Sequence, residues 1–168
     1  MADKRKVCMI GVSSVGKTSL IQRFVQSRFT EKYFTTVGVK VDKKTVAING
    51  GELVLALWDV FGEDEFQKLK PVHLAGASGY LLVVDGTRKT TLDQALELHE
   101  RVQKMLGPTP SVMVLNKVDL TTDWELTPEV EQDLRTRGWQ PLRSSAKTGE
   151  GVEEAFLALS HEMLGREK

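Results

Sequence analysis

The fold of this chain is decided by the stretch GVSSVGKTS, which runs from Gly11 to Ser19. An apolar run at residues 7–10 precedes it, and the pattern that follows places one face of a helix at Leu20, Ile21, Phe24 and Val25. Strand, glycine-rich loop and helix in this order form the setting that a phosphate-binding loop requires. The spacing lets the backbone curl until successive N–H groups point at a phosphate, assisted by the positive end of the helix. A glycine-rich turn without a ligand is the alternative, and the structural setting disfavours it.

The loop supplies candidate ligands for a nucleoside triphosphate and for magnesium. Its geometry would bring the Lys17 ammonium group to the β- and γ-phosphates and would make the Thr18 hydroxyl a ligand of Mg²⁺. We therefore predict that the nucleotide is contacted by Ser13, Ser14, Val15, Gly16, Lys17, Thr18 and Ser19.

Length and composition exclude several other classes of protein. The 168 residues suit one domain, which we expect to span residues 1–168. The 23 basic residues balance the 23 acidic ones, so net charge gives no reason to expect nucleic acid as a partner. Cys8 is the only cysteine, offers no disulfide or metal cluster, and indicates a reduced, cytoplasmic setting. No apolar run reaches the ~18 residues of a membrane span, and Ala2 with a cysteine-free C-terminus predicts no intrinsic membrane anchor.

A hairpin of two strands is predicted over residues 37–59. Val39 and Val41 alternate with polar residues, whereas Val46 and Ile48 have the opposite parity. This change of phase predicts a bulge or bend in a strand near the sheet edge. The dipeptide Asn49-Gly50 is a strong hairpin signal, so the apolar run after it is expected to pair antiparallel with the first strand.

The rest of the chain alternates strands with helices. Apolar strands end at Asp85 and Asn116, and a short strand is predicted at residues 140–143. Such alternation within one domain favours parallel strands covered by helices. We therefore predict an α/β fold of the P-loop NTPase type, with a mostly parallel six-stranded sheet, one antiparallel edge strand and helices on both faces.

Three helices after the hairpin can be assigned from their apolar stripes and caps. One carries a stripe formed by Leu92, Ala95, Leu96, His99, Val102 and Leu106. His99 is interpreted as a packed histidine because no second metal ligand stands at helical spacing from it. Thr127 and Pro128 predict the cap and first residue of the next helix, which Gly138 ends. The last helix buries Val152, Ala155, Phe156, Leu159 and Met163.

Polar residues end several of the predicted parallel strands, and in such sheets ligands bind beyond these carboxyl ends. Asp59 stands where a carboxylate can hold Mg²⁺ through water, although a strand-terminal aspartate is also a common turn residue. The run from Asn116 through Lys117 to Asp119 is more specific, because one carboxylate can accept hydrogen bonds from both N1–H and the 2-amino group of guanine. A guanine pocket is therefore predicted, completed by Ser145, Ala146 and Lys147.

With these motifs the chain resembles the Ras-like small GTPases, and the Rab group in particular, over essentially its whole length. GVSSVGKT matches the phosphate loop, YFTTVG the first switch, WDVFGED the second switch, and NKVD with SSAK the base-recognition motifs. The resemblance implies a GTP/GDP molecular switch that binds Mg²⁺ and hydrolyses GTP to GDP and phosphate. It also implies a monomer that meets effectors, exchange factors and GTPase-activating proteins through residues 28–40 and 60–75.

The resemblance assigns further roles within the two switches. Thr36 would close on Mg²⁺ and the γ-phosphate, and the backbone N–H of Gly62 would meet the γ-phosphate. Tyr33 matches the aromatic residue that covers the phosphates. Phe29 matches the one that packs against guanine, although Phe29 could equally be a core residue. The candidate catalytic residues are Lys17, Thr36, Gly62 and Glu63.

Two residues of the second switch depart from the family pattern. Phe61 stands in place of a small residue, and Glu63 stands in place of the glutamine that orients the attacking water. A carboxylate only accepts hydrogen bonds, and about 4 Å from the γ-phosphate it would face repulsion of roughly 4 kcal/mol at an effective dielectric of about 20. Glu63 could therefore swing outward and leave hydrolysis slow, or stay and act as a base. A GTP-binding scaffold with little or no hydrolysis is the alternative function, whereas the guanine motif argues against an ATP-dependent kinase.

Overall fold

The computed structural model describes residues 3–26, 38–61 and 71–165, with the backbone alone at residues 38, 39, 60 and 61. The strands in these ranges are β1 (Asp3–Ile10), β2 (Gly38–Ile48), β3 (Gly51–Phe61), β4 (Gly79–Asp85), β5 (Ser111–Asn116) and β6 (Leu142–Arg143). The helices are α1 (Lys17–Gln26), α2 (Pro71–Leu74), α3 (Thr90–Leu106), α4 (Pro128–Thr136) and α5 (Val152–Gly165), with a 3₁₀ turn at Thr121–Asp123.

The strands form a single six-stranded sheet in the order β2-β3-β1-β4-β5-β6. Only the β2–β3 pair is antiparallel, and every other neighbouring pair is parallel. This arrangement confirms the predicted α/β fold with one antiparallel edge strand. It also brings the carboxyl ends of β1, β3, β4 and β5 to one edge of the sheet.

The hairpin forms as predicted, but its predicted bulge is wrong. Asn49 and Gly50 both have positive φ, 51° and 78°, as a two-residue hairpin turn requires. The pairing then runs without interruption from Ile48 opposite Gly51 to Gly38 opposite Phe61.

The change of phase in β2 has another cause. Val46 is buried on the inner face of the strand, whereas Val41 is 43% exposed on the outer face. Apolar residues therefore occupy both faces of a regular edge strand, and they give the sequence the same pattern that a bulge would give.

The helices cover the sheet on both faces. β4 is buried along its whole length, as expected for a central parallel strand. On one face, α1 and α5 pack on alternate residues of the strands, with a core that includes Val7, Met9, Leu20, Phe24, Leu57, Leu81, Val114, Phe156 and Leu159. On the other face, α2, α3 and α4 pack on the intervening residues, with a core that includes Cys8, Ile10, Leu74, Leu82, Val84, Leu98, Val102, Leu115 and Leu134.

The helix boundaries agree with the cap signals. The Thr127 hydroxyl accepts a hydrogen bond from the Val130 N–H at 3.3 Å, and α4 begins at Pro128. Gly138 follows the helix with a φ of 98°. β6 covers only Leu142–Arg143 rather than residues 140–143, because Pro141 has no N–H to donate to the sheet.

His99 has a packing role, as the sequence predicted. Its Nδ1 atom lies 2.6 Å from the Tyr80 hydroxyl, and its ring meets that of Trp139 edge-on with the centroids 4.7 Å apart. Within the described residues, no group of three or more His, Cys, Asp and Glu side chains is placed to hold a metal ion. No helix in the same ranges has the length and apolar character needed to cross a membrane.

Candidate functional site

The phosphate loop links β1 to α1 and has a curled backbone. Ser14 and Gly16 have positive φ, 65° and 106°, and residues of this kind make a concave row of N–H groups. A side chain at Gly16 would place its Cβ 2.2 Å from Asn116 Nδ2, and one at Gly11 would place it 2.6 Å from the Val83 carbonyl oxygen. Both glycines of the motif are therefore required by the packing of the loop against β4 and β5.

Two side chains of the base motif hold the loop from outside. Asn116 Nδ2 donates to the carbonyl oxygen of Val15 at 3.0 Å, and Lys117 Nζ donates to that of Ser14 at 3.0 Å. In a planar trans peptide, the N–H of the next residue points away from the carbonyl. The contacts therefore turn the N–H groups of Val15 and Gly16 towards the inside of the loop.

Lys17 begins α1 and lies under the loop. Its side chain is 5% exposed, and Nζ donates to the Gly11 carbonyl oxygen at 2.7 Å. Burial lowers the pKa of Lys17 to about 7, although the negative charge of the nearby Asp59 carboxylate acts in the opposite direction and raises this pKa. A phosphate group beside this ammonium would restore its charge, so the site fits an anionic ligand.

Thr18 and Asp59 form a candidate magnesium site. The Thr18 hydroxyl donates a hydrogen bond to Asp59 Oδ2, and the carboxylate is 1% exposed. Its other oxygen, Oδ1, is buried and accepts no hydrogen bond from the described residues. Burial raises the pKa of Asp59, while the Thr18 hydrogen bond and the Lys17 charge lower it. Two hard oxygen donors fit Mg²⁺, which binds few protein groups and completes its shell with water and phosphate oxygens.

The base motifs meet at the carboxyl ends of β5 and β6. Asp119 Oδ1 accepts a hydrogen bond from the Ser145 hydroxyl at 2.7 Å, which fixes the orientation of the carboxylate. Buried Asn116 accepts from the Ser144 hydroxyl at 3.0 Å, so the same segment also holds the motif that anchors the loop. Ala146 is buried beside these residues and Lys147 is exposed.

The structure therefore brings most of the predicted residues to one edge of the sheet. Ser13 lies exposed on the loop, and Ser19 lies half-buried in the first turn of α1. Some predicted site residues fall outside the described ranges, and these are Phe29, Tyr33, Thr36, Gly62 and Glu63.

Among the residues of this site that the sequence motifs do not identify are Arg23 and Asp85. Arg23 on α1 donates from Nε to the Ala146 carbonyl oxygen at 2.8 Å and from Nη2 to the Lys147 carbonyl oxygen. Asp85, 1% exposed, lies 2.9 Å from Lys117 Nζ. Asp85 ends an apolar strand just as Asp59 does, and this signal could have identified it. Arg23 has no comparable signal.

The fold and the loop together define a P-loop NTPase of the small G-domain type, and comparison with known proteins gives its family. The sequence model of the Ras family matches residues 6–165. Ras-related protein Rab-21 of Homo sapiens is 32% identical over 161 residues, which cover 95% of this chain and 72% of that protein. Ras-related protein Rab-12 of Homo sapiens is 33% identical over 164 residues, covering 96% and 67%. Ras-related protein SEC4 of Saccharomyces cerevisiae is 32% identical over 156 residues, covering 92% and 73%.

The chain belongs to the Ras family, with Rab proteins among its relatives. The predicted class of protein and its activity are confirmed. The chain is a small GTPase that acts as a GTP/GDP switch, binds these nucleotides with Mg²⁺ and hydrolyses GTP. Regulators and effectors belong to this mode of action in the family.

Proposed function

We propose that the G domain at residues 1–168 binds guanine nucleotide at the carboxyl edge of its sheet, with the residues predicted from the sequence as ligands. One observation carries the proposal. The buried Lys17, the Thr18–Asp59 pair and the Asp119–Ser145 pair lie on segments that converge on the same edge. These groups offer a cation for phosphate, oxygens for Mg²⁺ and an acceptor for guanine.

The phosphates are bound by the N–H groups of the loop and by Lys17, while Thr18 and Asp59 supply oxygens for Mg²⁺. When bound, Mg²⁺ offsets the charge that develops on the phosphates as GTP is hydrolysed. Water forms a bond to the γ-phosphorus, the bond from that atom to the bridging oxygen breaks, and phosphate leaves GDP behind. The site residues lower the barrier mainly by positioning these groups and stabilising their charge.

Guanine is recognised by Asp119, whose carboxylate accepts from N1–H and the 2-amino group. The Ser145 hydroxyl holds this carboxylate, and Arg23 holds the backbone of the segment that carries Ala146 and Lys147. A rigid acceptor discriminates strongly, because a base without matching donors leaves buried polar groups unpaired.

The roles of the switch residues rest on the family resemblance. In this proposal Thr36 and Gly62 meet the γ-phosphate, Thr36 adds a ligand to Mg²⁺, and Tyr33 and Phe29 cover the phosphates and the base. Effectors, exchange factors and GTPase-activating proteins then bind the monomer through residues 28–40 and 60–75. These two regions differ between the GTP-bound and the GDP-bound state, so each partner can distinguish the two states.

We also propose a cytoplasmic setting for this switch. The single cysteine, Cys8, is buried and forms no disulfide. Burial raises the pKa of its thiol to about 11, which keeps it protonated and unreactive.

Exchange of the base specificity tests the proposed site. Asp119→Asn removes the acceptor that faces the guanine donors. The free energy of GTP binding should therefore become less favourable by several kcal/mol. Xanthosine triphosphate has an oxygen at position two and should gain affinity for the variant. A competition assay with both nucleotides measures the preference, and Asp133→Asn is the control because Asp133 is an exposed residue of α4. A preference for GTP that is unchanged in Asp119→Asn overturns the guanine assignment.

A further inference from the structure

A third side chain holds the phosphate loop from outside, and no sequence motif contains it. Arg88 Nη2 donates to the Ser13 carbonyl oxygen at 3.1 Å. The next two carbonyl oxygens, of Ser14 and Val15, accept from Lys117 and Asn116 at 3.0 Å each. Three consecutive carbonyls are thus bound by side chains from the last residue of β5, from the residue that follows it and from the segment after β4.

The direction of these carbonyls determines where the loop can bind an anion. Each peptide unit is planar and trans, so its C=O and N–H point in opposite directions. When the carbonyl oxygens of Ser13, Ser14 and Val15 are drawn outward, the N–H groups of Ser14, Val15 and Gly16 are turned inward. Successive N–H groups in this orientation form an anion-binding concavity. Arg88 therefore sets the first N–H of the row.

Asp85 fixes Arg88 in this position. Its Oδ2 atom lies 2.9 Å from Arg88 Nε and 2.9 Å from Lys117 Nζ. Its Oδ1 atom accepts from the N–H of Thr87 at 2.9 Å and from the Thr87 hydroxyl at 2.6 Å. One buried carboxylate thus organises both cations that bind the loop carbonyls.

The charge of Asp85 is maintained despite its burial. Burial by itself raises the pKa of this carboxyl, but hydrogen bonds from Thr87, Lys117 and Arg88 outweigh it and lower the pKa. Asp85 is therefore ionised at neutral pH and remains a partner for both cations.

The segment that carries Arg88 is itself well anchored. The N–H of Gly86 donates to the Asn116 carbonyl oxygen at 3.0 Å, and the Gly86 carbonyl oxygen accepts from the Glu125 N–H at 2.8 Å. The N–H of Lys89 donates to Glu125 Oε1 at 2.6 Å. Arg88 thus extends from a fixed base to the loop, although its own side chain is 43% exposed.

We propose that Arg88 is a positioning residue of the nucleotide site, which together with Asp85 holds the Ser13 carbonyl outward and thereby slows nucleotide release. The inference rests on the proposed nucleotide site. Arg88 contacts the phosphate loop and not the residues proposed to recognise guanine. Loss of its side chain should therefore weaken binding of the phosphates and leave the preference for guanine unchanged.

Nucleotide release from the full chain tests this role. The protein is loaded with a fluorescent GDP analogue in the presence of Mg²⁺, and release is followed after addition of excess GDP. Arg88→Ala should accelerate release about fivefold, as expected for the loss of one hydrogen bond. Arg88→Lys should give an intermediate rate, because one ammonium group cannot reproduce the fork that contacts both Asp85 and the Ser13 carbonyl. Arg137→Ala is the matched control, since Arg137 is an exposed arginine paired with Asp133 on α4.

A second measurement separates positioning from general loosening of the fold. The preference for GTP over inosine triphosphate, which lacks the 2-amino group, should be the same in Arg88→Ala and the parent chain. A parent-like release rate in Arg88→Ala overturns the inference, and so does an equal loss of base preference. If the parent chain itself retains no nucleotide, the proposed site is wrong and the inference fails with it. If the parent binds and Arg88→Ala releases no faster, only the inference fails.

Discussion

The Thr18 hydroxyl donates a hydrogen bond to Asp59 Oδ2 and so joins the first turn of α1 to the end of β3. The two residues are 41 positions apart in the chain. Asp59 Oδ1 is buried and accepts no hydrogen bond from the described residues. The pair can therefore offer oxygens to a cation. It does so beside the phosphate loop, whose N–H groups are available to phosphates. The charges of Mg²⁺ and of the phosphates can therefore be accommodated together.

The first prediction concerns this pair. Asp59→Asn keeps the size of the side chain but removes its charge, and loss of a partner in a metal site typically costs 10- to 100-fold in metal affinity. The Mg²⁺ concentration that half-protects bound GDP from release should therefore rise by about 10-fold or more. A titration of the GDP release rate against Mg²⁺ measures it, with Asp133→Asn as an exposed control. An unchanged midpoint in Asp59→Asn would remove this carboxylate from the magnesium site.

The second prediction follows from the pKa of Lys17, which burial lowers to about 7. A bound phosphate raises this pKa again, so between pH 7 and 9 nucleotide binding should take up a proton at Lys17. Affinity for GDP should consequently fall as pH rises through this window, by up to about tenfold per pH unit from this group. Below pH 7, Lys17 is charged in both states and its contribution to the pH dependence disappears.

Calorimetry gives the proton count directly. Binding of GDP to nucleotide-free protein is measured at pH 8 in two buffers with different ionisation enthalpies, and an uptake approaching one proton is expected. The same comparison at pH 6 serves as the control, because uptake should vanish there. Binding without proton uptake at pH 8 would show that Lys17 stays charged before the phosphates arrive.

The sequence predicted the parts of the site that are local in the chain. Gly11, Gly16, Lys17 and Thr18 belong to one nine-residue stretch, whose spacing alone requires a curled backbone before a helix. Asp59 and Asn116 could be placed because the carboxyl ends of strands in a mostly parallel sheet share one edge.

Contacts between distant segments were not predictable in this way. Arg88 meets Ser13 across 75 positions, and Arg23 meets Ala146 across 123 positions. An arginine on a helix or in a turn has no periodicity that distinguishes such a role from an ordinary surface position. The bulge predicted in β2 was wrong because a local sequence pattern was misleading. Val41 is an apolar residue on the outer face of a regular strand, and it produces the same change of phase in the sequence as a bulge would.

The third prediction concerns the pH dependence of stability. Burial lowers the pKa of His99, with Glu100 opposing the shift. The histidine is held by the Tyr80 hydroxyl, which also accepts from Gln103 Nε2 at 2.6 Å, and it packs on Trp139. In the unfolded chain the His99 imidazole binds a proton more readily than in the folded protein. The contribution of neutral His99 to the free energy of unfolding is therefore fully present above about pH 6.5, and it is lost as the pH falls through the lower pKa of the folded state.

Urea unfolding at several values between pH 7.5 and 5 measures this contribution. His99→Gln keeps a hydrogen-bonding group beside Tyr80 but does not titrate, so its free energy of unfolding should fall less steeply with decreasing pH than that of the parent. His161→Gln is the matched control, because His161 is exposed on α5. If His99→Gln shows the full slope of the parent, another group is responsible for the acid sensitivity.

The last prediction concerns Glu63, which lies outside the described residues, as do most residues of the two switches. The prediction therefore rests on the hydrogen-bonding chemistry of the carboxylate and amide groups and not on an observed position of the side chain. A glutamine can accept a hydrogen bond from water while donating one to a phosphate oxygen, whereas a carboxylate can only accept. Beside the γ-phosphate the carboxylate also adds a like charge. We propose that Glu63 positions water poorly and that intrinsic hydrolysis is slow.

Glu63→Gln should then raise the rate of single-turnover GTP hydrolysis by about 10-fold, which corresponds to about 1.4 kcal/mol in the barrier. Affinity for GTP should hardly change, because the side chain is not expected to bind the ground state tightly. The double variant with Phe61→Ala belongs in the same experiment, since a bulky neighbour could limit the gain by reshaping the water position. A parent that hydrolyses no GTP even over long incubation would favour the scaffold alternative. If instead Glu63→Gln slows hydrolysis, and the parent rate rises with pH through one titration that the variant lacks, Glu63 acts as a general base and the slow-switch proposal is wrong.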